Sequence, residues 1–308
     1  MRALVAGAGA EGLLRDVPEP VSGPGQTLVE VHHVSLNFSD LRHMSRLPEG
    51  TVLGYDAAGI VVRAAEDGTG PAVGARVAAF GAGAWAERAA FGTDAVAVVP
   101  DEVDLATAAA LPLAGFTALR SLRAAGMGLG SRVLVTGASG AVGRLAVQLA
   151  GLAGAHVIAS VSSPERVREL DGKGAFAESV EVVVGLDGID PVDVVIEVVG
   201  GPTLVTAWGL LKPGGNLQSI GWASGQPAVF PPNSTFSLGQ ARSLNSFGDA
   251  AAPAADLAHL LALVATGELS VDLGWRGSWE RLKEAGAAQL APAGTGKIIL
   301  DVANHHHP

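Results

Sequence analysis

The stretch VLVTGASGAVGRLAVQLA, Val133 to Ala150, decides the fold. Its first residues, Val133-Leu134-Val135, form an uninterrupted apolar run of the kind found in strands covered on both faces. Beyond the glycines, Leu145, Val147, Leu149 and Leu152 alternate with alanines in a run free of proline, which reads as a helix packed closely on a sheet. Strand, glycine turn and helix therefore follow one another without a break.

A turn of this kind has a specific use. The N–H groups that open a helix lack intrahelical partners, and the helix dipole makes that end attractive to phosphate. Gly137, Ala138, Ser139, Gly140, Ala141, Val142 and Gly143 keep the last two glycines of the dinucleotide fingerprint G-x-G-x-x-G, with the first interval stretched by one residue. A turn that merely packs helix on strand has the same composition. The next strand, His156 to Val161, ends roughly 20 residues after the turn, where NAD-binding proteins place an acid on the ribose hydroxyls. Here Ser162, Ser163 and Arg166 follow instead, and two hydroxyls with a guanidinium suit a 2′-phosphate, which points to NADP(H). Ser163-Pro164-Glu165 is equally good helix N-terminal chemistry.

Composition bounds the rest. At 308 residues the chain holds two domains or one large one, and with 48% hydrophobic and 16% charged residues it is globular. Its net charge of -10 offers no basic field to nucleic acid or to an anionic membrane. With no cysteine there is neither a disulfide nor a thiolate metal ligand. The first residues lack a signal-peptide layout, and every long apolar stretch is interrupted, so a cytoplasmic location is expected. His305, His306 and His307 read as a frayed tail or tag remnant.

The first hundred residues carry short β-rich runs (27–34, 57–62, 75–80 and 95–99) separated by turn clusters such as Glu66-Asp67-Gly68-Thr69-Gly70-Pro71. From Leu105 the pattern alternates: a helical stretch 105–125 with breaks at Pro112 and Gly115, then strands at 132–136, 156–161, 193–198 and 216–221. That alternation predicts an α/β fold with a doubly wound parallel sheet. Helices are expected at 255–266 and 279–287. The closing strand, from Gly296 to Leu300, returns to the first domain. The expected division is 1–108 with 249–308 around an inserted cofactor domain, 109–248.

Several stretches together resemble the zinc-independent medium-chain dehydrogenase/reductases, in the branch of NADPH-dependent quinone oxidoreductases and enoyl reductases. They are Val34-Ser35-Leu36-Asn37-Phe38-Ser39-Asp40, Leu53-Gly54-Tyr55-Asp56-Ala57-Ala58-Gly59, Val73 to Val77, Ala109 to Leu119, the glycine turn, Leu210 to Gly215, and Thr295-Gly296-Lys297-Ile298-Ile299-Leu300. The resemblance implies a Rossmann-type domain inserted in a mostly β GroES-like domain, and a homodimer. It implies that Asn37 and Thr117 lie near the nicotinamide and ribose, that the turn from Gly137 to Gly143 lies under the pyrophosphate, and that Ser162, Ser163 and Arg166 lie near the adenosine phosphate. Gly221 and Asn245-Ser246-Phe247 would border the nicotinamide from the other side.

The chain also departs from that family. Where zinc alcohol dehydrogenases carry a cysteine and Gly-His-Glu, it has Asn37 to Asp40 and Gly54-Tyr55-Asp56, so no such zinc site is expected. The loop 43–51 is short and lacks the tyrosine that many relatives carry as a proton donor. The expected reaction is hydride transfer from NADPH to a quinone or an α,β-unsaturated carbonyl, and the enolate formed from the latter takes its proton from water or a side chain. Tyr55, Asp40, His43 and Arg42 are the candidates, although Tyr55 also reads as packing, Asp40 as a helix cap and His43 as a surface residue. A pathway-specific enoyl reductase or reductive cyclase, and a noncatalytic NADPH-binding protein, are the competing readings.

Overall fold

The chain begins with two short antiparallel strands, β1 (Arg2–Ala6) and β2 (Gly12–Asp16). The computed structural model describes residues 1–9, 11–170, 180–236, 238–291 and 296–302. Thr295 and the terminal His305, His306 and His307 lie outside the described residues. Two units divide the chain: Met1–Phe116 with Ala250–Gly267 and Val271–Pro308, and Thr117–Asp249 with Glu268–Ser270.

The first unit continues through β3 (Gln26–Leu36), α1 (Phe38–Met44), β4 (Asp56–Arg63), β5 (Arg76–Phe80), β6 (Arg88–Gly92), β7 (Val96–Val98) and α2 (Leu105–Ala109). Helix α3 (Pro112–Ala124) contains the division between Phe116 and Thr117. In the second unit come β8 (Arg132–Val135), α4 (Ala141–Leu152), β9 (His156–Val161), α5 (Pro164–Leu170), β10 (Val180–Val184), β11 (Val192–Glu197), α6 (Gly201–Gly209), β12 (Leu211–Ser219) and β13 (Ser243–Ser246). The first unit is completed by α7 (Ala254–Ala265), β14 (Leu273–Ser278), α8 (Leu282–Leu290) and β15 (Lys297–Asp301).

In the first unit the main sheet runs β14-β15-β3-β4-β5-β7, with β6 pairing β3 beside that path. Only β14 and β15 run parallel; the other pairings are antiparallel. The closing strand thus sits against β3, Ile298 opposite Leu36 and Leu300 opposite Val34. Trp85, Phe91, Trp279, Leu36, Val34 and Leu300 fill the core of this unit, each no more than 1% exposed.

The second unit is a six-stranded sheet in the order β10-β9-β8-β11-β12-β13, every pairing parallel. Counted within the unit this is 3-2-1-4-5-6, the Rossmann order, with its reversal between β8 and β11. Val133, Leu134 and Val135 are all 0% exposed, and full burial of such a side chain contributes about 1.5–3 kcal/mol. That explains why the β8 run tolerates no polar residue at those positions.

The stretch 105–125 is two helices, broken ahead of Pro112 as expected. Asp104 caps the first by accepting from the Thr107 N–H at 3.0 Å, and Pro112, which has no N–H to donate, opens the second. Gly115 does not break α3: it lies inside the helix, where an added Cβ would come 2.8 Å from Leu260 Cδ1. The strand expected at 216–221 starts earlier, at Leu211, and ends at Ser219; its pairing with β11 shifts register between Leu211 and Asn216, where Gly214 has φ +80. Trp279 begins a single 3-10 turn ahead of α8.

Candidate functional site

In the second unit the turn between β8 and α4 is held from several sides. Thr136 N–H donates to the Ile196 carbonyl of β11 and Ala138 N–H to the Ser160 carbonyl of β9, each at 3.0 Å. Gly137 has φ +57, the left-handed region that glycine tolerates, and Gly143 admits no side chain because an added Cβ would lie 2.4 Å from the Gly137 carbonyl oxygen. Gly140 is the N-cap of α4, and Ala141, Val142 and Gly143 carry the N–H groups that a helix start leaves without intrahelical partners. Buried Arg144 reaches back from α4 and donates through Nε to the Ser139 carbonyl at 2.9 Å, bracing the middle of the turn. A helix N-terminus this closely fitted to its strand suits a pyrophosphate.

At the end of β9, Ser162 is exposed, while Ser163 and Arg166 are half-buried. Ser163 lies at the start of the helix that follows. Pro164 opens α5, and a hydrogen bond from Ser163 holds the exposed Glu165 carboxyl below its usual range. Arg166, the third residue of α5, donates its backbone N–H to the Ser163 carbonyl at 3.1 Å. On the far side of the sheet, Gly221 follows β12 and packs against the Val198 carbonyl. Ser246 ends β13, and the Phe247 N–H donates to the Ser219 carbonyl at 3.1 Å. Thr117 is buried on α3, at the start of this unit.

The first unit brings together a second group. Asn37 precedes α1 in extended backbone, and its N–H donates to Asp40 Oδ2 at 2.7 Å. Asp40 is therefore a cap acting from within the first turn of α1, the acid half of a capping box. The Asn37 side chain is fully engaged: Nδ2 donates to Asp56 Oδ2 at 2.9 Å and Oδ1 accepts from Lys297 Nζ at 2.6 Å. Asp56 Oδ1 accepts the Leu113 N–H at 3.0 Å, and Lys297 Nζ lies 3.6 Å from Asp56 Oδ2. One quartet thereby ties the start of α1, the start of β4, the first turn of α3 and the start of β15.

Asn37, Asp40, Asp56 and Lys297 are all buried. Desolvation pushes Asp56 up and Lys297 down, each opposed by the other's charge. Asp40 is raised to about 7, first by burial and then by the Asp56 charge nearby. Its Oδ1 is buried without a hydrogen-bond partner among the described residues. Near neutral pH the Asp40 carboxyl gains or loses its proton, beside an Asp56 and a Lys297 whose charged forms are disfavoured by burial and favoured by each other.

Tyr55 is half-buried and stacks on Phe80 with ring centroids 5.8 Å apart, and Phe80 meets Phe116 edge-on at 4.9 Å. Its ring packs, as one of the two sequence readings expects. His43 is exposed in the last turn of α1, and Arg42 lies over the Phe38 ring at 5.0 Å. Lys297, Glu197 and Thr136 are not singled out as functional by the sequence. Thr136 carries no signal there; Lys297 and Glu197 carry a charge at the end of an apolar run, since a Lys or Glu is rarely fully buried unless paired.

Comparison with known proteins places both units. Residues 23–101 match the model of the alcohol dehydrogenase GroES-like domain, and residues 141–266 match that of the zinc-binding dehydrogenase. The chain is 34% identical over 218 residues to the spectinabilin polyketide synthase system protein NorB of Streptomyces orinoci, covering 68% of this chain and 10% of that protein. It is 32% identical to prostaglandin reductase-3 of Mus musculus over 69% of this chain and 59% of that protein. The chain thus spans about a tenth of the length of the polyketide synthases it matches. The quinone oxidoreductase of Thermus thermophilus, solved alone and with NADPH, superposes with a TM-score of 0.78 at 29% identity, covering 98% of this chain and 100% of that one. A GroES-like unit, a Rossmann unit with its glycine turn at the reversal of strand order, and these relatives identify the chain: it belongs to the medium-chain dehydrogenase/reductase family of NAD(P)-dependent oxidoreductases.

Proposed function

We propose that this chain reduces a quinone or an α,β-unsaturated carbonyl compound with NADPH and without zinc. The observation that carries the reading is the glycine turn from Gly137 to Gly143, set at the reversal of strand order and opening α4. When bound, NADPH supplies a hydride. The N–H groups of Ala141, Val142 and Gly143 hold its pyrophosphate, and Ser162, Ser163 and Arg166 hold its 2′-phosphate. Within the second unit, Thr117, Gly221, Ser246 and Phe247 orient its reactive end. Supporting the choice of substrate, the similar proteins are named quinone oxidoreductases, a prostaglandin reductase and polyketide synthases.

The zinc-free part of the reading rests on donor chemistry. The chain has no cysteine, and the described residues contain no group of three or more His, Asp or Glu arranged to hold a metal ion. Conjugated alkenes and quinones need less polarisation than an alcohol. In an enone the hydride joins the β-carbon, the negative charge moves to the carbonyl oxygen, and one proton completes the reduction. Solvent, Tyr55, His43 and Asp40 are the available proton sources.

Loss of NADPH absorbance with purified protein and a panel of quinones, enones and enoyl thioesters tests the reading, with NADH in parallel. Turnover of one class with NADPH supports it; tight NADPH binding with no oxidation by any electrophile makes the chain a noncatalytic NADPH-binding protein. The polyketide synthase relatives favour enoyl thioesters as a second substrate class. A product with one more ring than its substrate would identify a reductive cyclase. A homodimer belongs to the same proposal: all four residues of β13 are exposed, and this edge strand pairs with β12 on one side only. Light scattering at a single-chain mass would overturn that part.

A further inference from the structure

Strand β11 ends in a buried acid. Glu197 is 0% exposed and has no ion-pair partner among the described residues. Its charge is met by hydrogen bonds alone. Oε1 accepts from the Thr136 hydroxyl, the Val199 N–H and the Gly200 N–H, each at 3.0 Å, and Oε2 accepts from the Gly200 N–H at 2.9 Å. Thr136 Oγ1 in turn accepts the Val198 N–H at 3.1 Å. Burial raises the Glu197 carboxyl above its usual range, so the donors do not fully offset desolvation.

An apolar residue would serve the core better than a buried acid with no cation beside it among the described residues. What the carboxylate adds is a connection. Thr136 is the last residue before Gly137, and Val199 and Gly200 lead into α6. Glu197 therefore joins the exit of β8 to the exit of β11, the two adjacent strands between which the order reverses. A dinucleotide binds outside the carboxyl ends of strands at such a reversal. Both turns depend on left-handed glycines, with φ +57 at Gly137, +73 at Gly200 and +58 at Gly201, which leaves their orientation to outside contacts.

We propose that Glu197, acting through Thr136 and the Val199–Gly200 backbone, is a positioning residue for the NADPH site. It holds the glycine turn and the start of α6 in register with each other, so that their N–H groups face the cofactor together. The inference rests on the cofactor reading given above. Glu197→Gln keeps the size and one acceptor oxygen but replaces the other with an amide that faces the Val199 and Gly200 N–H groups. Thr136→Val removes the hydroxyl, and Thr136→Ser keeps it.

The test titrates NADPH into the intact protein by fluorescence, alongside thermal melting and steady-state kinetics. Expected are an NADPH Kd raised about tenfold by Glu197→Gln and about threefold or more by Thr136→Val, restoration to within about twofold in Thr136→Ser, and an unchanged KM for the electrophile. A lowered melting temperature with unchanged NADPH affinity in Glu197→Gln makes Glu197 purely structural and overturns the proposal. If Glu197→Gln does not fold, the Thr136 pair decides: equal NADPH affinity in Thr136→Val and Thr136→Ser overturns it. A wild-type chain that binds no NADPH removes the cofactor reading and this inference together. A wild type that binds, with variants that match it, removes this inference alone.

Discussion

Lys297 Nζ donates to Asn37 Oδ1 at 2.6 Å across 260 residues of chain, so the last strand of the first unit fixes the side chain that precedes its first helix. With Asp56 on the other end of the amide, the orientation of Asn37 is set by charge: its oxygen faces the ammonium and its NH₂ faces the carboxylate. Lys297→Met leaves Asp56 buried opposite a neutral amide. Breaking a buried pair on one side costs about 3–5 kcal/mol, and urea denaturation should show a lower midpoint with an unchanged slope. Adding Asp56→Asn to Lys297→Met removes the stranded charge, and the double variant is expected to be more stable than Lys297→Met alone.

Asp40 makes stability depend on pH in a stated direction. Its carboxyl is raised to about 7 in the folded chain against an ordinary value of 3.8, so the native state holds this proton over a range in which the unfolded chain has released it. Its contribution is complete below about pH 4 and is lost as pH rises through about 7. Asp40→Asn keeps an oxygen for the Asn37 N–H and cannot ionise. The difference in unfolding free energy between wild type and variant should therefore change between about pH 4 and about pH 7 and level off above, the wild type losing ground as pH rises. Groups that do not interact with Asp40 cancel in that difference, whereas Asp56 and Lys297 carry part of it, and a constant difference would exclude Asp40 as the titrating group.

The second unit is the more legible part of the chain, because its buried strands are continuous apolar runs and its turns are written in glycine. The strand His156 to Val161 matches its sequence reading to the residue, and the strand at Val192 starts within one position of its own. The edge strand β13 is not readable, since Ser243, Leu244, Asn245 and Ser246 are all exposed and carry no hydrophobic pattern. In the site, the turn glycines and Asp40 as a cap can be seen in the sequence. The union of Asn37, Asp56 and Lys297 cannot, because it depends on β15 lying beside β3, a pairing between opposite ends of the chain.

Glycine-to-alanine changes within α4 should have opposite signs. At Gly143 the added methyl would sit 2.4 Å from the Gly137 oxygen and 2.8 Å from the Ala138 Cα, both backbone atoms that cannot turn aside. Gly143→Ala is expected to lose about 1–3 kcal/mol and to weaken NADPH binding, because relief requires the turn itself to move. At Gly151, within the last turn of the same helix, nothing lies within 4 Å of an added Cβ. Gly151→Ala is expected to gain about 0.5–1 kcal/mol with NADPH affinity unchanged. Thermal melting and NADPH titration of the two variants side by side check both halves.

Cofactor choice rests on the first turn of α5. The serine and glutamate there are already engaged with each other: Ser163 bonds the Glu165 carboxyl, and Glu165 lies 3.5 Å from Arg168. Ser162, Ser163 and Arg166 stand at this turn to discriminate the 2′-phosphate from a hydroxyl, with Arg166 supplying the charge. A hydrogen bond to a charged group contributes about 1.5–3 kcal/mol, and each 1.4 kcal/mol is a factor of about ten in affinity. Arg166→Ala should raise the KM for NADPH at least about tenfold while leaving that for NADH nearly unchanged, with kcat retained for both. Arg166→Lys keeps the charge but loses the planar fork, so it should fall between the two. If the NADPH-to-NADH ratio of kcat/KM is the same in Arg166→Ala as in wild type, the 2′-phosphate is not read by this helix.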